Sequence, residues 1–267
     1  MAGAADAGAE WIWELGCMSS YRWFGRGKAL LKVLGPMNGS APYGAAHPVR
    51  KGELALRQVA ALLAFFGFVT LALPAQAEPI RLVAFGDSLT AGLGLPGNEA
   101  FPAKLQAALK ARGHDVLIQN AGVSGDTTTA GLSRLDWSIP QGTDGVILEL
   151  GANDALRGLD PAITDKSLDS ILGRLKARNI PVLMAGMLAP PNLGAGYKAR
   201  FDPIFPRLAT KYGVALYPFF LDGVAGQPKL NQPDGIHPSA AGVDIIVAKM
   251  LPAVEAFIGK LKTAKAG

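Results

Sequence analysis

Ile80-Arg81-Leu82-Val83-Ala84-Phe85 runs directly into Gly86-Asp87-Ser88-Leu89. A short apolar, β-rich run closed by glycine and small polar residues reads as a buried strand ending in a tight turn. The signature recurs at Val116 to Asn120, Gly145 to Leu150, Pro181 to Gly186 and, briefly, Ala215 to Tyr217. Continuous apolar runs, rather than alternating ones, are what strands covered on both faces require. Between them Phe101 to Arg112, Pro161 to Asn179, Tyr197 to Tyr212 and Ser239 to Lys260 read as helices, with a shorter one over Thr127 to Leu135. Asp160 before Pro161 is an N-cap followed by proline in the first turn, and Gly113 after Arg112 is a C-terminal stop. This alternation predicts an α/β fold with about five parallel strands between layers of helices.

The strands begin only at residue 80. Upstream, Arg50, Lys51 and Arg57 precede an apolar run from Val59 to Leu73, followed by Pro74 and the small-residue site Ala75-Gln76-Ala77. That order is the pattern of an export signal cleaved after Ala77. The run is 15 residues long, whereas spanning a bilayer takes roughly 20, so no stable membrane insertion is expected after cleavage. Residues 1–49 hold three of the four tryptophans (Trp11, Trp13, Trp23) and the single cysteine, Cys17, without a periodic pattern that would bury them. They read as a disordered leader, or as sequence upstream of a later translation start at Met37 or Val49. The expected division is leader 1–49, signal 50–77 and one folded domain over 78–267, a length suited to a single core.

Charge and cysteine content exclude several function classes. Of 26 basic and 21 acidic residues, 7 and 4 precede residue 78, which leaves 19 and 17 in the domain. A near-neutral domain without a Lys/Arg cluster has no footprint for nucleic acid or an anionic membrane. With no cysteine after residue 77, there is no disulfide framework, thiolate nucleophile or cysteine-based metal site.

In parallel sheets ligands sit at the carboxyl ends of the strands. Three loops follow such ends: Gly86-Asp87-Ser88-Leu89, Asn120-Ala121-Gly122-Val123-Ser124-Gly125-Asp126 and Gly151-Ala152-Asn153-Asp154. A serine nucleophile needs a base to take its proton. Of the three histidines, His47 lies upstream of the cleavage site and His114 falls in the turn before the second strand, at the opposite edge of the sheet. His237 remains, in Pro233-Asp234-Gly235-Ile236-His237-Pro238, with Asp234 three residues earlier to orient its ring. The backbone N–H groups of Ser88 and Gly125 and the side-chain amide of Asn153 are the candidate oxyanion donors. Asp87, Asp126 and Asp154 read as carboxylates that lock their loops through local hydrogen bonds. Leu156, Leu159, Leu188 and Pro190 are candidates to line an apolar acyl groove. No metal or organic cofactor is implied.

Rival readings are weaker. Gly92-Leu93-Gly94-Leu95-Pro96-Gly97 matches a dinucleotide fingerprint, but it does not sit in the first strand-to-helix turn, and Pro96 and Gly97 delay the next helix to about Phe101. The absence of a G-x-S-x-G elbow argues against the α/β-hydrolase fold. A non-catalytic binding module would not need Ser88, Asn153, Asp234 and His237 together.

The blocks AFGDSLTAGLGL (84–95), NAGVSGDTT (120–128), LELGANDALRG (148–158) and DGIHP (234–238) resemble those of the SGNH (GDSL) hydrolases, in particular the bacterial thioesterase I, lysophospholipase and arylesterase branch. The resemblance implies a three-layer flavodoxin-like fold. It implies nucleophile Ser88 with Asp234 and His237 completing a triad, and oxyanion donors Gly125 and Asn153. The substrates it implies are small acyl esters or thioesters. Carbohydrate O-deacetylation is the alternative on the same machinery.

Overall fold

The computed structural model describes residues 78–266; the expected leader and export signal lie outside the described residues. Five strands, β1 (Ile80–Gly86), β2 (Val116–Gly122), β3 (Gly145–Glu149), β4 (Val182–Ala185) and β5 (Ala215–Tyr217), form one sheet in the order β2-β1-β3-β4-β5. Every pair is parallel. This is the expected doubly wound α/β arrangement, and its strand order reverses between β1 and β3. Crevices at such a reversal receive ligands, because the connections leave the two strand ends in opposite directions.

Among the described residues eight α-helices connect and follow the strands: α1 (Ser88–Ala91), α2 (Phe101–Ala111), α3 (Thr128–Ser138), α4 (Ala152–Leu156), α5 (Pro161–Ala177), α6 (Gly194–Phe201), α7 (Ile204–Tyr212) and α8 (Ala240–Ala266). Helix α2 packs on α8, while α3 packs on α5 and α5 on α7. Since crossovers between parallel strands are right-handed almost without exception, connections that run in opposite directions from β1 put these two groups on opposite faces of the sheet. β3 and β4 are buried at every position, whereas β2, an edge strand, is largely open to solvent. Phe85, Phe101, Phe201, Phe205 and Phe220 are among the largest fully buried side chains, with Phe101 and Phe220 meeting edge to face at 5.0 Å between ring centroids.

The end signals act as expected. Asp160 Oδ1 accepts from the Ala162 N–H at 3.1 Å to cap α5, and Gly113, at φ +81°, closes α2. One helix differs from expectation. The stretch 197–212 is two helices, α6 and α7, broken at Asp202-Pro203. The apolar side chains Phe201, Ile204, Phe205 and Leu208 keep helical spacing across the break, which hides it from a periodicity argument. Pro203, with no N–H and a ring that clashes with the preceding turn, interrupts the ladder, and Asp202 Oδ1 accepts from the Ala189 N–H at 2.9 Å instead.

One row of the sheet positions the site. Gly122, Gly86, Glu149 and Ala185 are neighbours across β2, β1, β3 and β4. A Cβ on Gly86 would lie 2.1 Å from Thr90 Oγ1 and 2.6 Å from Glu149 Oε2; one on Gly122 would lie 2.3 Å from the Ala91 nitrogen. Two glycines at adjacent strand ends let α1 fold back onto the sheet and leave room for the side chain of Glu149.

Candidate active site

Ser88 is the second residue after β1 and opens the four-residue helix α1. Asp87 caps that helix, its Oδ1 accepting from the Leu89 N–H at 3.0 Å. Gly92, at φ +80°, ends it and returns its N–H to the Ser88 carbonyl. Ser88 is thereby pinned at a strand-to-helix turn with only 7% of its surface exposed.

The loop after β5 brings His237 to this turn. His237 Nε2 lies 3.0 Å from Ser88 Oγ, and His237 Nδ1 lies 2.7 Å from Asp234 Oδ2. Asp234 Oδ1 accepts from the backbone N–H groups of Ile236 at 2.9 Å and His237 at 3.0 Å. The His237 N–H, then its ring, then the Ile236 N–H hold the Asp234 carboxyl down at about 2. An ionised carboxylate accepts and cannot donate, so it fixes the proton on Nδ1 and leaves Nε2 to accept from the serine hydroxyl.

This loop is anchored at both ends. Asn231 bridges to Pro238, and the Gln232 N–H donates to the His237 carbonyl at 2.7 Å. Gln232 Nε2 donates to the Leu93 carbonyl at 2.6 Å and the Pro238 carbonyl at 3.0 Å. The glycine-rich stretch 92–97 is therefore the counterpart of the histidine loop. It runs into a short 3₁₀ turn (Gly97–Glu99), and the next helix opens only at Phe101, away from the β1 turn where a dinucleotide fingerprint belongs.

The oxyanion candidates converge from three loops. Gly125, at φ +86°, is exposed after β2, and its carbonyl accepts from Arg157 at 2.7 Å. Asn153, in α4, donates its side-chain amide to Asp87 Oδ2 at 3.1 Å and to the Asp126 carbonyl at 3.0 Å. Both amide hydrogens thus have protein acceptors here, and donation to a substrate oxygen requires one of them to turn outward.

The other carboxylates behave as loop locks. Asp154 accepts from the Thr128 N–H at 2.8 Å, the Thr128 hydroxyl at 2.6 Å and the Thr164 hydroxyl at 3.1 Å. Asp126 pairs with Arg134 at 2.5 Å. Arg134 also donates to the carbonyls of Ala121 at 2.9 Å and Gly86 at 2.8 Å, so one guanidinium ties the ends of β1 and β2 together. Sequence reasoning missed Arg134, Gln232, Thr90 and Glu149. Only Glu149 carried a signal, as a charged residue inside an apolar strand run.

A cavity of about 510 Å³ opens on Ser88 and His237. Leu156, Met187, Leu188, Pro190, Phe219 and Ile236 are among its lining residues. Leu159, expected there, is absent from the lining; α4 ends at Leu156, and the Leu159 carbonyl instead accepts from the Tyr197 hydroxyl at 2.9 Å. His114 faces the far side, its Nε2 3.1 Å from Glu255. Among the described residues no group of three or more His, Cys, Asp or Glu side chains could hold a metal ion. Nor is any helix among them long and apolar enough to cross a membrane.

Comparison with known proteins agrees with this geometry. A solved structure of AlinE4, an SGNH-hydrolase family esterase, is 49% identical and superposes with a TM-score of 0.58, over 68% of this chain and 98% of that one. The arylesterase of Vibrio mimicus is 40% identical, over 66% of this chain and 88% of its own length. An Escherichia coli enzyme named as thioesterase, protease and lysophospholipase is 38% identical, over 66% of this chain and 84% of its own. The model of the GDSL-like lipase/acylhydrolase family matches residues 84–245, and the chain belongs to that family.

Proposed function

We propose that this ester-bond hydrolase cleaves small acyl esters and thioesters through an acyl-enzyme on Ser88. The observation that carries the reading is the relay from Ser88 Oγ to His237 Nε2 at 3.0 Å and from His237 Nδ1 to Asp234 at 2.7 Å, set at the mouth of an apolar cavity. In the first step Ser88 Oγ bonds to the acyl carbon and its proton passes to His237 Nε2. The carbonyl oxygen becomes an oxyanion held by the N–H groups of Ser88 and Gly125 and by the Asn153 amide. The bond to the leaving oxygen or sulfur then breaks, and His237 gives that atom its proton. Water repeats the sequence on the acyl-enzyme, releasing the acid and restoring Ser88.

An apolar cavity lined by Leu156, Leu188 and Pro190 suits an acyl chain better than a sugar, whose hydroxyls would be left without partners. The arylesterase and thioesterase relatives point the same way. We further propose that the domain is exported, after cleavage following Ala77, and works in the periplasm of a Gram-negative host. A chain-length series of aryl esters and acyl-coenzyme A thioesters, run beside acetylated sugars, tests the substrate class. Turnover that rises with chain length up to the capacity of the cavity, with slow release of acetate from sugars, is expected. Preferential deacetylation of the sugars contradicts the reading.

A further inference from the structure

Glu149 ends the central strand β3 one row beneath the nucleophile, and it is 0% exposed, as is Asp87 beside it. Its Oε2 accepts from the Thr90 hydroxyl at 2.8 Å and faces the Asp87 N–H at 3.4 Å. Its Oε1 is buried and has no hydrogen-bond partner. Asp87 in turn accepts from the Leu89 N–H through Oδ1 and from the Asn153 amide through Oδ2. The Asp87 N–H, 3.4 Å from Glu149 Oε2, sets the two buried carboxyls side by side. A buried carboxyl with an orphaned oxygen is costly unless something neutralises it, and among the described residues no ion pair includes either one. The second carboxyl beside it offers a way out: one proton shared by the pair would leave it with a single negative charge.

We propose that Glu149 is a positioning residue for the reaction described above, acting through Asp87 on the Asn153 amide and through Thr90 on the turn that carries Ser88. The proposal rests on the hydrolase reading of this site. Asn153 has both its amide hydrogens on protein acceptors, so how tightly Asp87 holds it governs whether one turns toward the oxyanion. A carboxyl that shares its charge with Glu149 is a weaker acceptor than a lone carboxylate. The neighbouring charged groups are already committed. Arg134 binds Asp126 and two carbonyls, Asp154 holds Thr128 and Thr164, and His237 faces Ser88 and Asp234. Burial pushes both carboxyls toward the protonated form, and the charge of Glu149 pushes Asp87 further.

The test uses the wild type with Glu149→Gln and Glu149→Leu. The glutamine substitution mimics a protonated Glu149, its amide donating to Asp87 in place of the shared proton; leucine removes every polar contact. With p-nitrophenyl butyrate, Glu149→Leu is expected to lose about tenfold or more in kcat with KM nearly unchanged. Glu149→Gln is expected to stay within about threefold of wild type. At neutral pH the infrared spectrum of the wild type should show the C=O stretch of a protonated carboxylic acid that Glu149→Gln lacks. A folded Glu149→Leu that keeps its kcat, a Glu149→Gln that falls as far as Glu149→Leu, or the absence of that stretch overturns the proposal. Should Glu149→Leu fail to fold, the glutamine variant and the infrared band still decide. A wild type without esterase activity removes the hydrolase reading and the positioning role together; an active wild type with an unaffected Glu149→Leu removes the positioning role alone.

Discussion

Asp234 accepts three hydrogen bonds from within three residues of itself, two from backbone N–H groups and one from the His237 ring. Its folded pKa, about 2, lies below the ordinary 3.8. A depressed carboxyl contributes stability that is fully present above its unfolded value and is lost as pH falls through its folded value. Urea unfolding of wild type and Asp234→Asn across pH should therefore give a gap that is constant above about pH 4 and closes toward about pH 2; a gap that widens on acidification contradicts the assignment. At neutral pH the same variant should lose about three to four orders of magnitude in kcat, because an amide facing Nδ1 favours the wrong tautomer. The meeting of Ser88, Asp234 and His237 was legible in the sequence because serine, carboxylate and imidazole are chemically distinct and histidine is scarce. Leu159 was misplaced because proximity in sequence to Leu156 does not say which way a loop carbonyl or side chain turns. The contacts of Arg134 and Gln232 were illegible for the same reason: their partners lie far along the chain, at Gly86 and Leu93.

Strand ends decide the site at the scale of elements. Gly122 touches the backbone of α1 so closely that a methyl group would lie 2.3 Å from the Ala91 nitrogen and 2.8 Å from the Asp87 carbonyl oxygen. These are backbone atoms, so relief requires α1 to move. Gly122→Ala should cost about 1–3 kcal/mol, lowering Tm by about 3–10 °C, and should depress kcat because α1 carries Ser88. An unchanged Tm would mean that α1 yields freely. All five strands were legible as apolar runs, within one or two residues at each end. The break between α6 and α7 was not, since the buried face is continuous in spacing and only Pro203 interrupts the hydrogen bonds. The short helix α4 was illegible because five residues cannot display a period.

For the molecule as a whole, the described residues from Ile80 to Leu261 build one continuous buried core around the sheet. A chain starting at Glu78 keeps that core and should fold with the catalytic constants of the full-length chain, and, on the proposed cleavage after Ala77, N-terminal sequencing of a processed form should begin at Glu78; loss of fold on truncation, or a different mature terminus, contradicts the division. The sheet order supplies the reason the site lies where it does: reversal between β1 and β3 opens the crevice, and Ser88 and Asn153 stand at its two sides with His237 brought across from the loop after β5. The central claim is that Ser88 is a nucleophile activated by His237. Its most direct test is labelling of the protein with a fluorophosphonate and mapping of the modified peptide, beside Ser88→Ala and His237→Ala. Covalent modification at Ser88, absent in the first variant and sharply slowed in the second, is the predicted result. A folded, unlabelled protein, or labelling that maps to another serine, would contradict it.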